Sequence, residues 1–60
     1  MGKFIKLKLS TTSDGRSIYI DSSKIITMEE RSSWTIIRML GGIKEEVYET
    51  PEEIIDKISK

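Results

Sequence analysis

The segment WTIIRMLGGIKEEVYE, residues 34–49, decides the fold prediction. Two apolar-rich runs flank a pair of glycines, a pattern that is typical of a β-hairpin with a two-residue turn. We therefore predict antiparallel strands over residues 34–40 and 43–49. A two-residue turn gives a register in which the facing side chains are either both apolar or oppositely charged, and such pairs stabilise a ladder. The predicted pairs are Leu40–Ile43, Arg38–Glu45 and Ile36–Val47.

The first strand of this hairpin is apolar on both faces. In an extended chain, Trp34, Ile36 and Leu40 lie on one side, whereas Ile37 and Met39 lie on the other. A single helix can cover only one face of a small sheet, so the second apolar face requires either barrel closure or a partner. We therefore predict Trp34, Ile36 and Leu40 as a protein interface.

Three further strands are predicted upstream of the hairpin. Apolar and polar residues alternate over 3–9, 16–21 and 25–30, and a period of two residues indicates a half-buried strand. Asp14-Gly15 ends the first loop, and Gly tolerates the positive φ that such turns require. Residues 21–24, Asp-Ser-Ser-Lys, predict a tight turn because Asp and Ser side chains bond to nearby backbone groups.

Downstream of the hairpin, Thr50-Pro51-Glu52-Glu53 predicts the start of a helix over about residues 51–59. Thr is a favourable N-cap, Pro suits the first helical position, and Glu three residues after the cap completes a capping box. Ile54, Ile55 and Ile58 then share one face. A helix this short is not stable alone, so we expect it to dock on the sheet.

The predicted fold is therefore mostly β, of the α+β type: a five-stranded antiparallel meander or small open barrel with one C-terminal helix. It occupies residues 1–60 as a single domain. A domain of this size buries only about 60% of the surface that its unfolded chain exposes, and without a Cys it has no disulfide to stabilise it. We therefore expect a homo-oligomer or a protein partner.

Composition argues against catalysis. The chain contains no Cys, His, Asn or Gln, so it lacks the thiol nucleophile and the commonest general base and transition-metal ligand. The paired acids at 29–30, 45–46 and 52–53 are adjacent in sequence, and neighbours on a strand point to opposite faces. We expect no enzyme activity, catalytic residue, metal, cofactor or small-molecule substrate. No membrane-spanning or signal-peptide pattern is present, and we expect a soluble cytoplasmic protein.

Charge is unevenly distributed although the net charge is zero. Residues 1–28 carry five basic and two acidic side chains, whereas residues 29–60 carry five basic and eight acidic ones. An alternative function follows, because a sheet face that combines basic and aromatic side chains can bind nucleic acid by stacking and phosphate contact. Lysines on an outer strand face also simply deter aggregation, so nucleic acid is the less favoured partner. The candidate residues for this alternative are Phe4, Lys6, Lys8, Arg16, Tyr19 and Lys24.

The order of the short motifs resembles the FlbD-type family of small bacterial proteins, which is linked to flagella and swarming motility. The resemblance covers most of the chain and implies a small strand-rich fold with an accessory role. All the matching residues are turn, cap or strand residues, so it implies no catalytic residue. The motifs are FIKL at 4–7, DGR at 14–16, IYI at 18–20, Ile25 with Met28-Glu29, TII at 35–37 with Met39, Val47, and ETPEEII at 49–55.

Overall fold

The computed structural model describes residues 3–60 and confirms the mostly β fold with a C-terminal helix. Five strands, one 3₁₀ turn and one helix follow each other along the chain. Their bounds are β1 (Phe4–Lys8), β2 (Ser17–Asp21), the 3₁₀ turn (Ser22–Lys24), β3 (Ile25–Glu30), β4 (Thr35–Met39), β5 (Ile43–Val47) and α1 (Pro51–Ser59).

The strands form two open antiparallel sheets and no closed barrel. β1 pairs with β2, and β3, β4 and β5 pair in that order. β2 and β3 are joined by the 3₁₀ turn without pairing, so the predicted meander is divided between two sheets. The sheets meet where Leu9 pairs with Val47, and the Tyr48 N–H donates to the Lys8 carbonyl at 2.9 Å. This contact makes the outer surface of β1 continuous with that of β5.

The hairpin between β4 and β5 differs from the predicted register by one residue. Its turn contains three residues, Leu40 to Gly42, and both glycines have a positive φ. Met39 therefore lies opposite Ile43, and Val47 lies opposite Thr35 rather than Ile36. The predicted pairs were wrong because the observed register places Val47 on the core face, where it is fully buried.

The core between the two sheets and the helix is aliphatic. Its fully buried members come from β1, β4, β5 and α1, and Ile58 packs against it at the end of the helix. The short helix is thus docked, as its length requires. The buried hydrophobic residues are Ile5, Leu7, Leu9, Ile20, Ile36, Ile37, Met39, Val47 and Ile54.

Local hydrogen bonds begin the helix as predicted. The Thr50 hydroxyl accepts from the Glu53 N–H at 3.1 Å, and the Glu53 carboxylate accepts from the Thr50 N–H at 2.8 Å. Pro51 occupies the first helical position. The capping box is therefore complete and satisfies two backbone donors reciprocally.

The predicted turn at residues 21–24 is also present. The Asp21 carboxylate accepts hydrogen bonds from the Ser23 hydroxyl at 2.8 Å and from the Ser23 N–H at 3.0 Å. These bonds favour the ionised carboxylate, and they lower the pKa of Asp21. Asp21 thus stabilises the turn by which the chain passes from the first sheet to the second.

Helix α1 has nine residues, and no helix in the described part of the chain approaches the length and apolar character of a membrane span.

Candidate binding surface

The four aromatic side chains of the chain all lie outside the buried core. Phe4, Tyr19 and Tyr48 are each more than half exposed, and Trp34 is partly buried. Phe4 and Tyr19 occupy strand positions that alternate with inward-facing aliphatic residues, so the pleat directs them outward, whereas Trp34 directly precedes β4 and Tyr48 directly follows β5. Large apolar rings exposed in this way mark a surface that is suited to contact.

On the first sheet, basic and aromatic side chains face each other across the two strands. Lys6 lies directly opposite Tyr19, and Phe4 lies opposite Asp21. Lys8 completes this outer face on β1. The structure therefore brings together four of the six residues that the sequence proposed for nucleic acid.

A row of side chains continues this face across the junction onto the second sheet. Lys8 is hydrogen-bonded through its carbonyl to the Tyr48 N–H. Trp34 and Tyr48 directly adjoin the last pair of the β4–β5 ladder, Thr35–Val47, and line two depressions together. The Arg31 N–H donates to the Trp34 carbonyl at 2.7 Å, which brings in the end of β3. We name Lys8, Tyr48, Trp34 and Arg31 the cross-strand row. It runs basic, aromatic, aromatic, basic across four chain segments.

Shallow depressions flank Tyr48, and loop hydroxyls line them. The largest, of about 400 Å³, lies between Tyr48 and the first loop; its lining residues are Lys8, Thr12, Ser13, Gly15 and Tyr48. The second, of about 320 Å³, is lined by Ser10, Ser33, Trp34, Glu46 and Tyr48. A third, of about 120 Å³, lies between Trp34, Tyr48 and the loop that follows β3. Tyr48 is thus the centre of the concave part of this surface.

Gly15 keeps the first loop close to the row. Its φ is +72°, and a Cβ at this position would lie 3.1 Å from Cε of Lys8. The Lys8 side chain therefore lies across the loop in the space that a larger residue would occupy.

Trp34 offers ring surface rather than a hydrogen-bond donor. Its indole Nε1 is shielded from solvent and has no hydrogen-bond partner among the described residues. A ligand on this face would therefore contact the ring of Trp34 and would not reach its N–H.

Charged residues cover the outer face of the second sheet beside the row. Glu29 pairs with Arg31 at 3.2 Å and with Arg38 at 3.8 Å. Arg38 also lies directly opposite Lys44, where the sequence had predicted an acidic partner. Like charges that face each other on a ladder are destabilising.

The remaining candidates from the sequence lie away from the row. The Arg16 N–H is bonded to the Thr12 hydroxyl and the Asp14 carboxylate in the first loop, and Lys24 ends the 3₁₀ turn. In the predicted interface on β4, Ile36 is only 8% exposed, whereas Leu40 is 55% exposed in the turn. Ile36 therefore has little surface left to offer a partner.

The sequence reasoning missed Tyr48 and Arg31. The signal for Tyr48 was present, because it alternates with Val47 in a predicted strand and must therefore point outward if Val47 points inward. A signal for Arg31 was also present, because the predicted turn at residues 30–33 brings it beside Trp34, three residues further along the chain.

No protein-family model matches the chain, and no match was found among curated proteins or among solved structures. The resemblance to FlbD-type proteins therefore stays a prediction.

Proposed function

We propose that the chain is a non-enzymatic protein-interaction module that pairs with a second copy of itself. The surface used is the turn-end patch, which consists of Ile26, Leu40 and Ile43. These three aliphatic side chains are 60%, 55% and 50% exposed. Their exposure at one end of the three-stranded sheet is the observation that supports the proposal, because large hydrophobic side chains left exposed in one region mark an interaction site.

The ladder places the patch at the open end of the core. Ile43 lies opposite Met39, which is buried, and Met39 lies opposite Ile25 on its other side. Ile43 thus faces the same side of the sheet as the core, yet half of its surface is uncovered. Ile26 follows Ile25 in the chain, at the register shift in β3. The Leu40 N–H donates to the carbonyl of Lys24, the residue that precedes β3. A docked surface would extend the core at this end.

A second copy is a suitable occupant for two reasons. Small domains gain stability when apolar surface that the monomer cannot cover is buried between subunits. A two-fold interface also brings the same patch from each copy together. The patch is bordered by Lys24, whose carbonyl accepts from the Leu40 N–H, and by Glu45, which lies on the same face of β5 as Ile43. Opposite charges at the rim of a self-complementary patch can pair across such an axis.

Sedimentation equilibrium from 1 to 500 µM would test this proposal. The wild-type chain is expected to dimerise, and the double variant Leu40→Ser, Ile43→Ser is expected to remain a folded monomer. Phe4→Ser is the matched control, because it removes an equally exposed apolar side chain from the other sheet. Trp34→Ala tests the interface that was predicted from the sequence.

Two results would overturn the proposal. A wild-type monomer over the whole concentration range would exclude self-pairing. A dimer that survives the double variant but is lost in Trp34→Ala would move the interface to the face of Trp34.

A further inference from the structure

The cross-strand row has a second property that self-pairing at the turn-end patch does not use. Its two central members are aromatic, and its outer members, Lys8 and Arg31, are basic. Adjacent strands are about 4.8 Å apart, so Tyr48 and Trp34 form neighbouring ring surfaces with a cation beyond each. Phe4 and Tyr19 extend the aromatic surface along the first sheet, with Lys6 between them and the row.

The outer face is more basic than the chain as a whole. By strand alternation it carries five basic side chains, Lys6, Lys8, Arg31, Arg38 and Lys44, and three acidic ones, Asp21, Glu29 and Glu46. A fourth carboxylate, that of Glu49, accepts from the Lys8 N–H at 3.0 Å at the edge of the face, which leaves a small excess of basic side chains. The chain itself is neutral. Glu29 pairs with both arginines, and these ion pairs compensate positive and negative charge alike, so they do not change the net charge of the face. The face therefore favours a polyanion.

The pair formed by Arg38 and Lys44 also favours an anionic ligand. Two like charges face each other across the ladder, although the neighbouring Glu45 and Glu46 would each have made a favourable partner in another register. The core determines this register. Glu29 compensates Arg38 in part, and an anion bound on the outer face would reduce the remaining repulsion from Lys44.

We propose that this face binds single-stranded nucleic acid, with bases stacked on Tyr48 and Trp34 and phosphates held by Lys8, Lys6 and Arg31. Rings recognise the faces of unstacked bases, which a duplex hides and an acidic peptide lacks. The loop hydroxyls of Thr12, Ser13 and Ser33 line the depressions beside Tyr48 and supply donors for phosphate and sugar oxygens. The proposal goes beyond the proposed function and uses different residues.

A fluorescence-anisotropy titration with a labelled 15-nucleotide oligo-dT, at 20 to 200 mM NaCl, tests the electrostatic part. Binding is expected to weaken with salt, since each phosphate contact releases a counterion. Lys8→Gln should lower the affinity about three- to tenfold and reduce the salt slope by about 0.7. Lys24→Gln is the matched control, because it removes the same charge from a residue off the face and should leave both values unchanged.

A second pair of variants tests the stacking. Tyr48→Leu should lower the affinity about tenfold or more, whereas Tyr48→Phe keeps the ring and should bind as the wild type does. Trp34 is the only tryptophan, so quenching of its fluorescence on addition of unlabelled oligo-dT reports contact with the row. Circular dichroism confirms that each variant is folded, and Lys8→Gln remains informative if Tyr48→Leu is not.

Several outcomes would overturn the proposal: no binding of either oligo-dT or oligo-U at 20 mM NaCl, an equal effect of Lys24→Gln and Lys8→Gln, or equal affinity of Tyr48→Phe and Tyr48→Leu. A duplex or a poly-glutamate peptide that binds as tightly as oligo-dT would do the same. Oligo-U of equal length separates the two nucleic acids, and binding of either strand supports the proposal. None of these results depends on whether the protein dimerises.

Discussion

The start of helix α1 and the turn between β4 and β5 are both short segments with special residues, but they are determined in different ways. The helix start is held by hydrogen bonds between Thr50 and Glu53, which are three residues apart. The turn from Leu40 to Gly42 depends on which residues of the two strands face the core. The first region shows structure that is determined locally, and the second shows structure that is determined by packing.

Among the variants that test this comparison, loss of core packing behind the hairpin should lower the free energy of unfolding most. Ile37 is fully buried on the inner face of β4, so Ile37→Ala should lower the free energy of unfolding by about 2–5 kcal/mol. Ile55→Ala, at a half-exposed position of the helix, is the matched control and should cost far less. Urea unfolding followed by circular dichroism measures both. Equal losses would mean that the hairpin is not the centre of the core.

The turn itself should be less sensitive than the core. Gly42 has a φ of +74°, and no atom lies within 4 Å of the position that a Cβ would take. The cost of Gly42→Val therefore comes from the backbone conformation alone, and we expect about 1–2 kcal/mol in urea unfolding. Ser33→Val provides the control in a loop position without a positive φ. An unchanged stability of Gly42→Val would contradict the observed turn.

Loss of the cap at the helix start should lower the free energy of unfolding by about 1 kcal/mol. Thr50→Ala removes the hydroxyl that accepts from the Glu53 N–H, and loss of an N-cap typically costs this amount. Thr50→Ser keeps the acceptor and should retain most of the stability. If Thr50→Ala cost as much as Ile37→Ala, the helix start would not be a local feature.

The turn at Asp21 offers the smallest effect and a test by pH. Because the pKa of Asp21 is lowered below its usual 3.8, mainly by the hydrogen bond from the Ser23 hydroxyl, the associated stability is fully present above that value. It is lost as the pH falls through the lower pKa of the folded state. Asp21→Asn should therefore make the melting temperature less dependent on pH below about pH 4, where the wild type loses this contribution. An identical pH dependence in both proteins would show that the carboxylate does not stabilise the turn.

Much of the fold was predictable because its signals are local. The period of two in β1 and β2, the glycines, and the capping box all depend on residues close in sequence, and each predicted element is present. The division into two sheets was not predictable, because the pairing of Leu9 with Val47 joins residues that are far apart in the chain. The predicted register of β5 was wrong because local pairing rules favoured a charge-complementary partner for Arg38. The core instead required Val47 on the inner face.

The candidate surface was only partly predictable. Alternation in β1 placed Phe4, Lys6 and Lys8 on one face. From the sequence, this face could be extended only to the neighbouring strand, β2. The cross-strand row combines a local contact, between Arg31 and Trp34, with two that join distant segments: Lys8 with Tyr48, and Tyr48 with Trp34. These distant contacts exist only in the folded protein.

The sequence by itself determined the type and order of the elements, the helix cap and the aliphatic character of the core, because backbone geometry and hydrogen bonds between near neighbours decide these. Only the tertiary structure decided which side chains share a surface. Non-local strand pairing selects the register that buries the most apolar area, and the polar outer face, including Tyr48 beside Lys8 and Arg38 opposite Lys44, follows from that choice.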